Sequence, residues 1–361
     1  MGCISSKNPP GMEHKDSVIP CTYGQEEGTY LQNLVCYDED IMKATSPIMG
    51  LASNAPPNIG SVPNVIADRY QIQGEALACG AFGCVYKAID LKEKELSKLY
   101  AVKVEDLSCE YPQLGHEARM YKVLEGGEGI PRCYAYEEKD NKAVLVMDML
   151  GESLQKLFGH GAKAFSVKTT LMLAEQMISR VQYLHESNYV HRDLKPANFV
   201  VGYPGTKNRN TVYLLDFGLA KKWRNHLTGQ MRSNVQRYYG TVGTDMFASR
   251  IAHQGFEQGR KDDLESLGYI FLYFMKSLPW MNQQAGMQTE DILDDIREKK
   301  KNMPLENYNQ GIPKEFMDYL DICRNMKFAE DPDYERLKDL FRSCAKRLNI
   351  PYPYSYKFDW D

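Results

Sequence analysis

Two carboxylates, an amide and an ammonium group fall close together in one short span of the chain: Asp193, Lys195 and Asn198, then Asp216. Between Asn198 and Asp216 lie two apolar runs, 199–201 and 212–215, joined by a connector with Gly202, Pro204, Gly205, Asn208 and Asn210. Gly, Pro and Asn form turns, and apolar runs flanking such a stretch read as paired strands. Folding that hairpin brings the four polar groups to one rim. An acceptor for a hydroxyl proton, oxygen ligands for Mg²⁺ and a cation beside phosphates are what phosphoryl transfer from a metal-bound nucleotide needs.

The rest of the chain supplies the elements that place these groups. Residues 70–77 and 84–89 read as strands around Ala78-Cys79-Gly80-Ala81-Phe82-Gly83. A glycine-rich hairpin tip lets backbone amides approach phosphates, which makes Ala78, Gly80, Gly83 and Val85 candidate nucleotide contacts. Residues 99–104 read as a strand bearing Ala101 and Lys103, whose apolar neighbours turn the ammonium inward; a helix over 113–124 carries Glu117, its natural partner. Strands over 133–137 and 143–147 run into Asp148-Met149-Leu150-Gly151, a crossing that offers backbone groups to an adenine edge with Met147 beside the pocket. Ser166 reads as the N-cap of a long helix whose residues Ala174, Met177, Ile178, Val181 and Leu184 share a buried face. That helix delivers His191-Arg192-Asp193, where His191 reads as architectural because Asp193 already serves as the base. The polar stretch 224–240 followed by Gly243-Thr244 suits a peptide acceptor, and Ser233, Tyr238, Tyr239 and Thr241 are hydroxyls open to phosphorylation. A helix over 262–275 is apolar nearly all round, and Asp263 at its start is expected to accept hydrogen bonds from the catalytic-loop backbone. Three more helices follow over 290–301, 314–326 and 334–347. The expected fold is α+β and bilobal: a small β-rich lobe over about 67–148 with one main helix, and a larger, mostly helical lobe over about 149–361.

Composition narrows the field. The 361 residues are 43% hydrophobic and 25% charged, as in ordinary globular proteins. A net charge of -4 without a basic stripe argues against nucleic-acid binding. The longest strongly apolar run, 268–275, is too short for a bilayer, and no apolar signal segment follows Met1. Nine scattered cysteines without a C-x-x-C pair lead us to expect reduced thiols in the cytoplasm, with neither disulfides nor a zinc site. Met1-Gly2-Cys3-Ile4-Ser5-Ser6 fits an acylation signal, with Gly2 as myristoyl acceptor and Cys3 as palmitoyl acceptor. One myristoyl chain holds a membrane only marginally, and a second acyl group makes the anchor stable. The expected location is therefore the cytoplasmic face of a membrane. Residues 8–66 hold no helix or strand period, so 1–66 reads as a flexible extension ahead of a catalytic domain over 67–361.

His191-Arg192-Asp193 with Asn198 five residues after the aspartate, followed by Asp216-Phe217-Gly218, is the motif set of protein kinases. From about Arg69 to Trp360 the chain resembles the casein kinase 1 family of Ser/Thr kinases. The resemblance is carried by Gln113-Leu114 ahead of Glu117, Leu150-Gly151-Glu152-Ser153-Leu154, Leu219-Ala220-Lys221-Lys222, Arg260-Lys261-Asp262-Asp263-Leu264-Glu265-Ser266-Leu267-Gly268, Ser277-Leu278-Pro279-Trp280 and Phe358-Asp359-Trp360. It implies Mg-ATP in the cleft and protein substrates. Lys103 with Glu117 would orient the α- and β-phosphates, and Asp193 would be the catalytic base. Lys195 would neutralise the γ-phosphate, Asn198 and Asp216 would hold magnesium, and the backbone of Asp148 and Leu150 would contact adenine. Lys195, two residues past the aspartate, points to Ser/Thr acceptors, and a monomer is expected.

Several positions depart from the family. Ala78 stands for the first loop glycine and Ala197 replaces an acidic residue, whereas Ser249-Arg250-Ile251, in place of the A-P-E of other kinases, stands where this family has its own variant. Met246 replaces an arginine linked to reading phosphorylated or acidic substrates, and Thr289-Glu290-Asp291-Ile292 replaces a basic cluster of the same purpose. Phosphate recognition relies on Arg and Lys, so these changes predict a weakened preference for phosphate-primed substrates. The alternatives are a membrane-anchored pseudokinase scaffold, which the complete set of chemical groups argues against, and a small-molecule or lipid kinase, which the long peptide-suited loop argues against.

Overall fold

The computed structural model describes residues 62–80, 83–93, 98–159, 164–225, 228–238, 240–281, 289–303, 310–352 and 357–361. The acylation signal at Gly2 and Cys3 and the hydroxyl of Tyr239 lie outside these residues.

The first lobe is a six-stranded antiparallel sheet. Its strands are β1 (Val65–Ile66), β2 (Tyr70–Gly80), β3 (Gly83–Asp90), β4 (Leu99–Asp106), β5 (Cys133–Lys139) and β6 (Lys142–Asp148), in the order β1-β2-β3-β4-β6-β5. Side chains alternate across a strand, so Tyr100, Val102 and Val104 of β4 bury against Tyr70, Ala88, Val144 and Val146 on one face. The other face meets α1 (Leu114–Val123), whose Met120 and Tyr121 are buried. The sheet begins at Val65, inside the stretch expected to be a tether, and Ile66 is buried against it. A two-residue strand is too short for a sequence period to reveal.

Cys79 and Cys84 form a disulfide, which corrects the expectation of reduced thiols throughout. The two residues stand directly opposite in the β2–β3 register, their Cα atoms 4.1 Å apart. Opposed residues of an antiparallel pair project to the same face, which is what brings their sulfurs together. Cys109 is free and exposed. Iodoacetamide without reductant is therefore expected to label Cys109 and spare Cys79 and Cys84 until dithiothreitol is added; peptide masses read the outcome, and labelling of Cys79 in unreduced protein would contradict it.

The second lobe is built around two long helices. After α2 (Leu154–Gly159) comes α3 (Val167–Glu186), in which Ala174, Met177, Ile178, Val181 and Leu184 are fully buried as their spacing predicts. Ser166 caps it, accepting the Thr169 amide at 3.1 Å. Asp359, at the far end of the chain, accepts the Ser166 amide at 2.6 Å and its hydroxyl at 2.7 Å, while Phe358 and Trp360 stack beside it. Two small sheets follow: β7 (Tyr189–Val190) pairs with β10 (Lys221–Lys222), and β8 (Phe199–Val201) with β9 (Val212–Leu214). Then come α4 (Arg260–Met275), buried along nearly its whole length, α5 (Thr289–Lys301), α6 (Lys314–Asn325) and α7 (Tyr334–Arg347). Phe271 of α4 packs edge-on against Tyr319 of α6 and Phe341 of α7. The architecture is the expected bilobal α+β fold, with a β-rich first part and seven α-helices among the described residues.

Candidate active site

Alternation along β4 places Ala101, Lys103 and Glu105 on one face, the face that meets α1. Lys103 Nζ donates to Glu117 Oε2 at 2.6 Å. Glu105, two residues on, accepts the amides of Gln113 and Leu114 at 2.8–3.0 Å. A carboxylate there satisfies amides that have no partner within the helix. One strand face thus pins α1 at two points.

Lys103 Nζ also lies 3.4 Å from Asp216 Oδ1. Burial opposes the ammonium's charge, but Asp216 and Glu117 outweigh it and raise its pKa above the ordinary lysine value. Burial likewise works against the Asp216 carboxylate, while Lys103, Lys195 and His191 hold it below the usual range. Both are ionised at neutral pH. Tyr121, one helical turn beyond Glu117, ties the cluster together: its hydroxyl donates to Glu117 Oε1 at 3.0 Å and accepts the Asp216 amide at 3.3 Å. Its ring stands edge-on to Phe217.

The β8–β9 hairpin sets the rim as its turn residues and apolar flanks predict. Asn198 precedes β8 and its carbonyl accepts the Leu215 amide at 2.9 Å, so Asn198 and Asp216 meet across the hairpin ends. Asn198 Nδ2 donates to the Asp193 carbonyl at 2.9 Å, which leaves Oδ1 as the atom that could take a cation. Asp193 Oδ2 takes Lys195 Nζ at 2.6 Å. Its Oδ1 accepts the amide and the hydroxyl of Thr244 at 2.8 and 2.7 Å, and Lys195 reaches the same hydroxyl at 3.2 Å. Gly243 makes this approach possible, for at its φ of +101° a Cβ would lie 2.3 Å from the Arg192 carbonyl oxygen.

Two residues here hold backbone angles that side chains disfavour: Arg192 at φ 68° and Asp216 at φ 66°. Such conformations cost about 1–3 kcal/mol each and persist only where neighbours over-determine them. For Arg192 the restraint is Asp263, which accepts the amides of His191 and Arg192 at 2.7 and 2.9 Å, as its place at the start of α4 predicts. Asp263 also accepts from buried His185, and Arg192 Nε donates to the Leu219 carbonyl. His191 is fully buried with Nε2 on the Leu215 carbonyl, in keeping with an architectural part.

Ala101 and Met147 are register partners on β4 and β6, and both are buried. Ala78 pairs with Val85 and Gly80 with Gly83 on the hairpin. Gly83 is required, since a Cβ there would meet the Val104 carbonyl oxygen at 2.0 Å, whereas one at Gly80 would enter open space. At the crossing, Asp148 commits its amide to the Arg132 carbonyl and its carboxylate to the Arg132 amide and the Tyr134 hydroxyl. Met246 packs against the core, its carbonyl taken by Trp280 Nε1. Glu290 and Asp291 lie in the first turn of α5, and the basic residues of that helix's ends fall in its last turn. Sequence pattern alone does not mark Tyr121 and Glu105 as site-building residues, although Tyr121 is four residues from Glu117 on one helix face, and it places Thr244 in a peptide-suited loop without pointing to its contact with Asp193.

The donor set suits Mg²⁺. An amide oxygen and a carboxylate that is one quarter exposed are hard ligands, and magnesium takes one or two such protein oxygens and completes its shell with water and phosphate. Among the described residues no cluster of three or more His, Cys, Asp or Glu side chains offers a metal site of another kind. Compared with known families, residues 72–347 match the model of the protein kinase domain.

Proposed function

Because the chain belongs to the protein kinase family, we propose that it is a serine/threonine kinase of casein kinase 1 type, moving the γ-phosphate of ATP to Ser or Thr of protein substrates. In this reading Lys103, held by Glu117, grips the α- and β-phosphates, with Val85, Ala101 and Met147 against the base and Ala78, Gly80 and Gly83 over the phosphates. Adenine meets the Leu150 backbone and the Asp148 carbonyl, since the Asp148 amide is engaged in the sheet. Asn198 Oδ1 and Asp216 hold magnesium, which supplies positive charge against the phosphates when bound. Asp193 accepts the proton of the acceptor hydroxyl.

The observation that carries the Ser/Thr assignment is the Asp193–Lys195–Thr244 triangle. It places a cation and the proposed base side by side, backed by the loop that follows the long polar segment. No helix among the described residues is long and apolar enough to cross a membrane. Membrane attachment in this proposal rests on acyl groups at Gly2 and Cys3, and a Gly2→Ala chain should lose incorporation of a myristate analogue.

The specificity proposal follows from charge. Met246 is neutral and packed down, Arg297 and Lys299 are paired with Asp294 and Asp295, and Lys300 is buried. The test is transfer from Mg-ATP to two peptides, one with a phosphoserine upstream of the target and its twin with plain serine. Use of the unprimed peptide within about threefold of the primed one is expected, as RT ln 3 is less than half of the roughly 1.5–3 kcal/mol that a hydrogen bond to a charged group contributes. A strong preference for the primed peptide would sink this specificity. No transfer to either peptide or to casein would leave a membrane-anchored scaffold as the better account.

A further inference from the structure

The loop that carries Thr244 is held by its carbonyls. Gln258 Nε2 donates to the Val242 carbonyl, Trp280 Nε1 to that of Met246, and Lys300 Nζ to those of Asp245 and Ala248 at 2.6 and 2.7 Å. Lys300 comes from α5 and is fully buried, with its ammonium over the faces of Tyr269 and Trp280. Its third polar contact is His253 Nε2 at 3.0 Å. The other ring nitrogen of His253, Nδ1, lies 3.1 Å from the Thr241 hydroxyl and 3.6 Å from Asp245 Oδ1. Asp245 Oδ1 is buried and, among the described residues, has no hydrogen-bond partner.

Hydrogen-bond valence makes this chain of groups bistable. A charged lysine has three donors and no acceptor. His253 Nε2 must then accept, its proton sits on Nδ1 facing Thr241, and the Thr241 hydroxyl is free to donate to Asp245. A neutral Lys300 has two donors for the two carbonyls and one lone pair. His253 can then carry its proton on Nε2 and donate to Lys300, so Nδ1 accepts from Thr241, whose proton turns away from Asp245. One proton moves on or off at Lys300, and the imidazole stays neutral in both arrangements.

We propose that Lys300 and His253 are positioning residues whose hydrogen-bond relay sets the conformation of the acceptor loop 241–248, and through Thr244 the seating of the peptide against Asp193. The proposal rests on the reading of this loop as the peptide-binding loop of a kinase. Burial, only partly countered by Glu265 and Asp245 and reinforced by Arg324, brings the Lys300 pKa down to about 7, where the relay would switch near neutrality. Burial, with Lys300 and then Arg297, holds His253 down at about 2. The groups facing the pair are thus Asp245 from the loop, Glu265 and Tyr269 from α4, Arg297 from α5 and Arg324 from α6.

The test uses the full-length protein at saturating Mg-ATP with an unphosphorylated peptide lacking histidine, between pH 6 and 8.5. The peptide KM of the wild type should change about threefold or more, with an inflection near pH 7, while the ATP KM stays level. Thr241→Val, which removes the relay's output without touching its buried end, should lose the inflection, and so should Lys300→Met. Hydrogen-exchange protection of amides 241–248, corrected for the intrinsic pH dependence of exchange, should show the same wild-type step and its loss in both variants. An inflection that survives in Thr241→Val, or an equal one in the ATP KM, overturns the proposal. If no peptide is phosphorylated, the kinase reading has failed, and the exchange step alone decides the relay: its presence in wild type and absence in Thr241→Val support it, and a flat profile overturns it. Should Lys300→Met fail to fold, Thr241→Val carries the decision.

Discussion

Replacing Asp193 by Asn is expected to slow phosphate transfer by about 10²–10⁴-fold, the range over which a positioned general base acts. Asparagine keeps the size of the side chain and one carbonyl oxygen, so the Thr244 amide and hydroxyl retain an acceptor in place of Oδ1. What is lost is the second oxygen, which holds Lys195 at 2.6 Å, and with it the ability to take a proton. Single-turnover rates at saturating Mg-ATP measure the step directly. The ATP KM should move little, because the Lys103–Glu117–Asp216 cluster is untouched, and melting should stay within a few degrees of wild type. A variant with unimpaired turnover would remove Asp193 from the role of base. One that loses ATP binding in step with turnover would show that the substitution had disturbed the whole cleft.

Replacing Asp263 by Ala should cost the most stability of any single change at the site, about 3–5 kcal/mol, because it strips a buried, fully bonded carboxylate from its partners. The amides of His191 and Arg192 and the ring of His185 would all be left facing a cavity. The disfavoured backbone at Arg192 would lose its restraint, so turnover should fall even in protein that stays folded. Urea unfolding midpoints and slopes measure the first effect, and peptide turnover the second; a loss under about 1 kcal/mol would show that water or a neighbour replaces the carboxylate. Acid should mimic the change. Burial works against the Asp263 carboxylate, but His185, His191 and their hydrogen bonds hold its folded pKa below the ordinary aspartate value of 3.8. Its contribution is therefore present above the unfolded value and lost as the pH falls through the folded one. His185 acts in the same direction: burial lowers its pKa below 6.5, so stability that is full above that value drains away as falling pH charges the ring in the unfolded chain. The wild type should lose stability progressively below pH 6.5, and the part due to Asp263 should vanish in the alanine variant.

Much of this site is legible in the amino-acid sequence, because its chemistry depends on local spacing. Asp193, Asn198 and Asp216 sit at the ends of a short hairpin, so turn residues and apolar flanks suffice to bring them together. Lys103 faces inward because strand alternation allows it only two directions. Ser166 is followed by a long apolar stripe, and the pair announces a capped helix. The rest depends on contacts between distant segments, which leave no local period. Nothing near Thr244 signals that its hydroxyl meets Asp193, 51 positions earlier. Glu105 looks like the polar end of a strand until α1 is laid against it. Cys79 and Cys84 are near in sequence, yet their pairing depends on the register of the hairpin, and a slip of one residue would turn one thiol to the other face.

The clasp between Ser166 and Asp359 bears on how the protein is made. Its two halves are 193 positions apart, so at translation rates of about 5–20 residues per second the start of α3 waits roughly 10–40 s for its second anchor. Phe165, beside that helix start, packs against Phe274 and Trp360 in the finished lobe, and neither neighbour exists when α3 leaves the ribosome. The nascent second lobe thus carries an apolar, half-capped helix end through most of its synthesis. This is the surface a ribosome-associated chaperone would meet, and its release would mark the moment the chain has been completed through Trp360.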